Sequence, residues 1–449
     1  GAHRIVIRRA LFVAAALLAC APAFAGRALV LSGGTVVDGY GNPPLHNGVI
    51  VIEGERISAV GTVDSIVVPP DAEVISTEGM TVLPGLWDLQ VHVDRLGHGD
   101  EARWSETYAP IATRVVTPLA AAQLLQAGVT SARALAAPTR VAVGLRERIR
   151  EQRVEGPTLF VSGPQLVKVV QPGAESWQRA VEGPDDGRAK VEDLAAAGVD
   201  YLLLAGLDLW SDEELAAVVG EARIRGLEVF AYGERPAAVE RGAAAGIDGF
   251  VGLDLGALPA FPEQTLQAIA ARNASTAQAP LSWSPAISGV MNYEDLRRNA
   301  EPLDDPAAVA GLPPLVATDV LASLRAMERI GWYQMPAARE PTLCTKLGQL
   351  QQSGTRLVLG SDSGAPAHLH TRAAWQEIDY WVRRCGVDPV VAIRAATHDA
   401  AAAMRVEHES GTLSPGKYAD VIAVRGDVLR NPALLQRVDL VIRHGRRHR

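Results

Sequence analysis

Short apolar runs alternate with alanine-rich helical stretches through the middle of the chain, and this alternation constrains the fold more than any other feature. Segment 211–226 is one of the helical stretches, and Ser211 with Glu214 three residues later is typical of a helix N-terminus. Alternating strands and helices produce a parallel sheet. The number of units favours a closed barrel over an open sheet, so we expect an α/β protein built on a (β/α)₈ TIM-like barrel. The apolar runs are 128–135, 158–163, 200–206, 227–233, 247–253 and 356–364.

The two ends of the chain have a different texture. Residues 27–83 and 410–449 are rich in β-forming residues and are punctuated by Gly and Asp turns. Two β-rich segments that flank an α/β region predict one small β-sandwich domain formed from both chain ends, beside a barrel made from residues 84–409. Residues 285–345 are rich in Pro and Asp, and we expect them to form an excursion over the barrel mouth.

The first 25 residues have the features of a signal peptide. A basic start precedes the short apolar run Ala10–Ala19, and Ala23-Phe24-Ala25 is a small-residue cleavage signal. This pattern predicts a periplasmic or secreted protein, with no transmembrane span in the mature chain. Lipoprotein processing at Cys20 is the alternative interpretation.

Composition limits the partners and the redox chemistry. The formal net charge is −8, and no Lys/Arg block interleaves with aromatic residues, so a nucleic-acid surface is not indicated. After cleavage only Cys344 and Cys385 remain. Two cysteines are not a disulfide framework for a chain of this size, but a bridge between them is possible in an oxidising compartment.

Three motifs resemble those of a known family. Pro84-Gly85-Leu86-Trp87-Asp88-Leu89-Gln90-Val91-His92 resembles the PGLIDxHxH opening of the amidohydrolase superfamily. Segment 411–420, GTLSPGKYAD, resembles its closing G-x-x-x-x-G-x-x-A-D signature, and 358–364, VLGSDSG, resembles its eighth barrel strand. The chain looks most similar to the imidazolonepropionase-like and prolidase-like branch.

The resemblance implies metal-assisted hydrolysis of carbon–nitrogen bonds. In that family, histidines of strands 1, 5 and 6, a carboxylated Lys of strand 4 and an Asp of strand 8 hold two metal ions that activate water. Carried over position by position, the set is incomplete, because Leu and Gly offer no side-chain ligand and a Gln carbonyl is weak. The matching positions hold Gln90 and His92 on strand 1, Leu203 on strand 4, Tyr232 and Glu234 on strand 5, Gly252 on strand 6 and Asp362 on strand 8.

These positions give the candidate site residues. We expect His92 and Asp362 to be the remaining metal-ligand positions, with Asp362 as the catalytic carboxylate and at most one zinc-like ion bound. Gln90, Tyr232 and Glu234 could line a small-molecule pocket, and His368 and His370 just beyond strand 8 could join them.

Two functions remain open. The chain could be a hydrolase with a rebuilt site, or a non-catalytic protein that binds a small molecule or another protein at the barrel mouth. Fold alone does not decide between them.

Overall fold

The structure is a computed structural model of the chain and describes residues 26–253, 258–326, 328 and 336–449. The predicted signal peptide and the alternative processing site at Cys20 lie outside these residues.

The strands, in chain order, are β1 (Leu29–Val36), β2 (Leu45–Glu53), β3 (Arg56–Thr62), β4 (Glu73–Ser76), β5 (Met80–Pro84), β6 (Leu86–Val91), β7 (Val129–Ala134), β8 (Thr158–Val161), β9 (Gln165–Val167), β10 (Gln178–Ala180), β11 (Tyr201–Leu204), β12 (Glu228–Tyr232), β13 (Gly249–Val251), β14 (Ser282–Ser284), β15 (Arg356–Leu357), β16 (Val421–Arg425), β17 (Leu440–Arg443) and β18 (Arg446–Arg447).

The α-helices are α1 (Glu101–Thr107), α2 (Thr117–Gln126), α3 (Thr139–Arg150), α4 (Pro184–Ala196), α5 (Asp212–Ile224), α6 (Pro236–Ala245), α7 (Glu263–Asn273), α8 (Ser288–Arg298), α9 (Pro314–Leu324), α10 (Pro336–Gln352), α11 (Ala373–Asp379), α12 (Pro389–Ala395) and α13 (His398–Ala403). Helix α5 begins as its sequence predicts, because Ser211 and Glu214 form a reciprocal capping box.

Strands from both ends of the chain share one hydrogen-bonded sheet. Its order is β18-β17-β16-β5-β1-β2-β3, with β4 paired to β1. The antiparallel pairing of β5 with β16 joins the N-terminal strands to the C-terminal ones. Apolar side chains of these strands pack together in one buried cluster, which includes Ile50, Val82, Val421 and Ile442. This sheet is a small β-domain beside the barrel.

Eight parallel strands form the barrel: β6, β7, β8, β11, β12, β13, β14 and β15. The ladders β6-β7-β8 and β11-β12-β13-β14-β15 are continuous, and β9 and β10 extend the second beside β11. Two seams close the circle: Asp200 N donates to Val161 O (2.7 Å), and Leu89 N donates to Leu359 O (2.9 Å). Every residue of β6 and β7 is buried, as expected for parallel strands covered by helices. The predicted (β/α)₈ barrel is confirmed.

The segment after β14 packs against the loop that follows β15. Tyr293 of α8 donates its hydroxyl to Pro366 O (2.6 Å), and Val320 and Leu324 of α9 pack in one cluster with Ala367 and Leu369. Loops that follow barrel strands lie at the mouth. The predicted excursion therefore packs on the mouth side of the barrel.

A disulfide joins Cys344 of α10 to Cys385, with a Cα–Cα distance of 4.9 Å. It fixes α10 to the segment that follows α11. Within the described ranges, no helix is long and apolar enough to cross a bilayer.

Candidate active site

His92 and Asp362 meet at the barrel mouth. His92 directly follows β6, and Asp362 lies in the extended segment that continues β15. Backbone bonds align the two segments, since His92 N donates to Ser363 O at 2.7 Å. As a result His92 Nε2 lies 3.0 Å from Asp362 Oδ1, and the two side chains are 16% and 29% exposed. The fold thus brings two predicted site residues into direct contact where solvent reaches them.

Gln90 is the third member of this cluster. Its Nε2 donates to Asp362 Oδ1 at 3.3 Å, and its Oε1 accepts from Ser284 Oγ at 3.4 Å. Gln90 is buried, and both ends of its amide are therefore engaged. In this position Gln90 orients the Asp362 carboxylate.

The electrostatics of Asp362 favour the ionised form. Burial alone would raise the pKa of this carboxyl, but the hydrogen bond and charge of His92, with further help from His368 and Gln90, lower it to about 2. An ionised carboxylate can only accept, so a neutral His92 carries its proton on Nε2. Among the described residues none is hydrogen-bonded to His92 Nδ1, so this atom can contact a ligand at the mouth.

The backbone at Asp362 is unusual. Its φ is +58°, in the left-handed region that side-chain-bearing residues rarely adopt. Such strain persists when the surroundings enforce it and is common at functional sites. Here the neighbouring Ser361 and Ser363 are held by Asp88 and by β6, which fix the turn on both sides.

Sequence reasoning missed Asp88 and Ser284 as parts of the site. Asp88 is fully buried and accepts hydrogen bonds from Ser361 N (3.0 Å), Ser361 Oγ and Gln90 N (3.2 Å). Burial raises its pKa to about 6 despite these bonds. The available signal was the place of Asp88 in the motif 84–92, two residues before Gln90.

Arg133, which matches the Arg of the family's Arg-Asp pair after strand 2, is a second buried group. Its side chain is inside the barrel, where Nε donates to Leu89 O (2.9 Å) and Nη2 to Ser284 Oγ (3.4 Å). The guanidinium lies 4.1 Å from the centre of the Phe230 ring. Arg133 is therefore linked through Ser284 and Gln90 to Asp362.

The family's remaining metal positions lie in apolar surroundings. Leu203 packs in one cluster with Tyr201, Phe230 and Val251, and Tyr232 packs against it. Burial, with the nearby charge of Asp362, raises the pKa of Tyr232 above its usual range, so its phenol stays neutral. Gly252 presents only backbone, and its carbonyl accepts from Trp283 Nε1 (2.7 Å). Strands β11, β12 and β13 thus fill this side of the barrel with hydrophobic contacts.

Glu234 lies just past β12 and is half-buried. Its charge is close enough to affect the Tyr232 hydroxyl. The structure places it on the rim, two residues beyond Tyr232.

His368 and His370 support the loop after β15. His368 is hydrogen-bonded to Pro366 O (2.9 Å) and Ser288 O (3.3 Å). His370 Nε2 donates to Arg95 O (2.8 Å), while Nδ1 accepts from the Ser363 hydroxyl (2.5 Å). Burial lowers the pKa of His370 to about 4 and keeps it neutral. With their ring nitrogens engaged, these histidines hold the loop in place and do not present free ligand atoms.

The residues present do not fit the family's metal pair. His92 and Asp362 are the two donors that meet at the mouth, and they bond to each other. Within the described part of the chain, no three His, Cys, Asp or Glu side chains converge as a metal site would require.

Comparison with known proteins agrees with the fold. Residues 336–447 match the model of the Amidohydrolase family. Over 76 residues the chain is 36% identical to an adenine deaminase of Rubrobacter xylanophilus, a match that covers 16% of this chain and only 12% of the deaminase.

Two solved structures are similar over almost the whole chain. A Xaa-Pro dipeptidase with bound methionine aligns with a TM-score of 0.71 and 21% identity, over 94% of this chain and 99% of the dipeptidase. The ochratoxinase of A. niger aligns with a TM-score of 0.70 and 20% identity, over 94% and 95% of the two chains. At this level of identity the likeness establishes a common fold.

Proposed function

This chain belongs to the amidohydrolase superfamily, and we propose that it hydrolyses a carbon–nitrogen bond of a small amide-type molecule at the barrel mouth, with His92 and Asp362 as its chemical groups and no pair of metal ions. The 3.0 Å contact between His92 Nε2 and Asp362 Oδ1 carries this proposal. This contact supports a role for His92 as a base whose proton is held on Nε2 by the ionised Asp362.

The groups present account for the steps of such a reaction. Asp362 holds the Nε2 proton of His92, so Nδ1 accepts a proton from water as the water oxygen attacks the carbonyl carbon. The same proton then passes to the leaving nitrogen as the carbon–nitrogen bond breaks. Gln90 keeps the carboxylate in place throughout. Without a metal ion to lower the pKa of water and polarise the carbonyl, we expect slow turnover.

Binding without turnover is the second candidate function. The apolar cluster around Leu203 and Phe230 favours it, because this cluster occupies the side of the barrel from which the family's metal ligands project. A half-apolar, half-polar mouth is suited to hold a small molecule by shape and a few hydrogen bonds.

One experiment separates these functions. The purified protein is assayed against dipeptides and N-acyl amino acids, with and without a chelator, and its metal content is measured. We expect less than one ion per chain, chelator-resistant activity, and a loss of about 100-fold or more in His92→Gln. His46→Gln, at an exposed histidine of the β-domain, is the matched control.

The possible outcomes lead to different conclusions. Activity that disappears with the chelator would contradict the metal-independent site. Saturable binding of these compounds without product, weakened by His92→Gln, would establish the binding function in place of hydrolysis.

We also propose that the protein is exported and that residues 1–25 are removed. The Cys344–Cys385 disulfide supports an oxidising compartment. Mass spectrometry of the mature N-terminus checks this, and we expect a chain that begins at Gly26. A lipid-modified Cys20 would replace secretion with membrane anchoring, and an uncleaved chain would overturn export.

A further inference from the structure

A cavity of about 440 Å³ lies at the opposite end of the barrel from His92. Its barrel wall includes Trp87, Ser131 and Phe160. These are the second residue of β6 and the third residues of β7 and β8. Its other wall comes from the β-domain and includes Tyr418 and His444. Five residues of extended strand separate Trp87 from His92, about 16 Å, so the cavity is distinct from the site at the mouth.

Stacked rings line both walls. Trp87 and Phe160 stack with ring centres 5.7 Å apart and planes at 28°. Tyr418 and His444 stack at 4.2 Å and 19°. The volume is in the range of small-molecule sites, and the ring pairs suit a flat aromatic ligand.

A buried donor in the cavity wall lacks a partner. Trp87 is 1% exposed, and its indole N–H makes no hydrogen bond to any described residue. Buried indole N–H groups usually find an acceptor, and leaving one unpaired costs about 1–3 kcal/mol.

Arg443 supplies a cation that forms no ion pair within the described residues, although the charges of Asp420 and Glu55 are near enough to act on it. Its Nε and Nη2 donate to Thr158 Oγ1 at 3.3 and 3.1 Å, across the junction between the β-domain and the barrel. It is half-buried. By contrast, the neighbouring Arg146 is paired with Asp200 and Glu147. A half-buried guanidinium of this kind suits a ligand carboxylate.

The charged residues of the lining limit the charge of the ligand. The Asp420 carboxylate accepts hydrogen bonds from Ser410 Oγ (3.2 Å) and His444 N (2.8 Å). Glu155 lies 3.4 Å from His448 Nδ1. Glu55 and Glu409 also line the cavity, the first exposed and the second half-buried. Arg150 and Arg446 line the cavity as well, both exposed, so the charges of the lining are close to balance and one negative charge on the ligand is enough to match Arg443.

We propose that this cavity is a second binding site, for a small aromatic monocarboxylate, with the carboxylate on Arg443 and the ring beside Trp87 and Phe160. A ligand in this position contacts both the barrel and the β-domain. Its binding therefore stabilises the junction of the two as well as the folded chain.

The test uses benzoate and indole-3-acetate as probes, with benzamide and cyclohexanecarboxylate as the uncharged and non-aromatic counterparts. Calorimetry of the full chain gives the affinities. We expect both aromatic carboxylates to bind and raise the melting temperature. The two counterparts should bind at least about 10-fold more weakly, which is the effect of losing a charge-assisted hydrogen bond or a ring contact.

Variants locate the site. Arg443→Gln should weaken benzoate binding about 10-fold or more, Arg443→Lys less, and Trp87→Phe about 2- to 10-fold. Arg447→Gln, at an exposed residue of β18, and His92→Gln, at the barrel mouth, should leave it unchanged. The melting temperature of each variant without ligand shows that it is folded.

Three results would overturn the proposal. The first is no saturable binding of either probe to the wild-type chain up to about 10 mM. The second is binding that folded Arg443→Gln and Trp87→Phe leave intact. The third is binding that His92→Gln abolishes, which would place the probe at the barrel mouth. None of these depends on whether the mouth hydrolyses a substrate.

Discussion

The two sides of the barrel mouth have been built from opposite chemistry. On β14, β6 and the segment after β15, polar side chains form a connected network from Ser284 through Gln90 to Asp362 and His92. On β11, β12 and β13, the inner side chains Leu203, Phe230 and Val251 pack together as core. One barrel thus has a polar and an apolar half.

Because of this difference, we expect substitutions in the two halves to have different effects. A polar network at the mouth has solvent nearby, so altering it changes chemistry more than folding. An apolar cluster inside a barrel is close-packed, so altering it changes stability. Apolar side chains at the positions that match the family's metal ligands therefore contribute hydrophobic stabilisation.

The largest effect is expected at Asp362. Asp362→Asn removes the ionised acceptor that fixes the His92 proton, and turnover should fall by about 100-fold or more. Steady-state kinetics should show the loss mainly in kcat, with a smaller change in KM. Asp212→Asn, at an exposed residue of α5, is the control. Equal activity of Asp362→Asn and wild type would show that the polar half has no chemical function.

A stability effect is expected in the apolar half. Phe230 is fully buried, contacts Tyr201 edge-on and lies beneath the Arg133 guanidinium. Phe230→Ala should reduce the free energy of unfolding by about 3–5 kcal/mol, and Phe230→Leu by less. Denaturant titration measures both. The comparison fails if Gln90→Ala in the polar half is as destabilising as Phe230→Ala.

A pH effect is expected at the base of the apolar half, where Glu228 begins β12. Burial and the charge of Asp248 raise the pKa of its carboxyl from 4.5 to about 7, with Arg405 opposing. The folded chain therefore holds this proton more strongly than the unfolded chain. The contribution to stability is complete below pH 4.5 and is lost as the pH rises to about 7, a loss of up to about 3 kcal/mol.

Glu228→Gln checks this assignment. The variant should lose less stability than the wild type between pH 5 and about 8 in chemical denaturation. Glu213→Gln, at an exposed residue of α5, should retain the wild-type slope. Identical slopes for Glu228→Gln and wild type would assign the pH dependence to other groups.

The smallest effect is expected from Gln90→His. This change restores the family's histidine on strand 1, but Leu203, Tyr232 and Gly252 still provide no cage for a second ion. Metal content after zinc supplementation should match the wild type within error, and activity should not rise above that of the wild type. Two tightly bound ions per chain in this variant would show that the apolar half tolerates a metal centre after all.

The barrel could be predicted because its signal is local and repeated. Each apolar run from 128–135 to 356–364 became a barrel strand or its extension, and the capping box at Ser211 and Glu214 formed as its spacing indicates. The position of His92 and Asp362 at the mouth also followed, since strand alternation and strand ends fix it. These inferences need only neighbours along the chain.

The sequence by itself determined which atoms are available: a histidine and an aspartate at strand ends, and Leu203, Tyr232 and Gly252 at the positions of the other ligands. Only the tertiary structure decided the partners. It directed His368 and His370 toward loop carbonyls, linked Arg133 to Asp362 through Ser284 and Gln90, and placed Trp87 and Arg443 in one cavity. Sequence order says nothing of contacts between residues hundreds of positions apart, because closure of the barrel and docking of the β-domain set those distances.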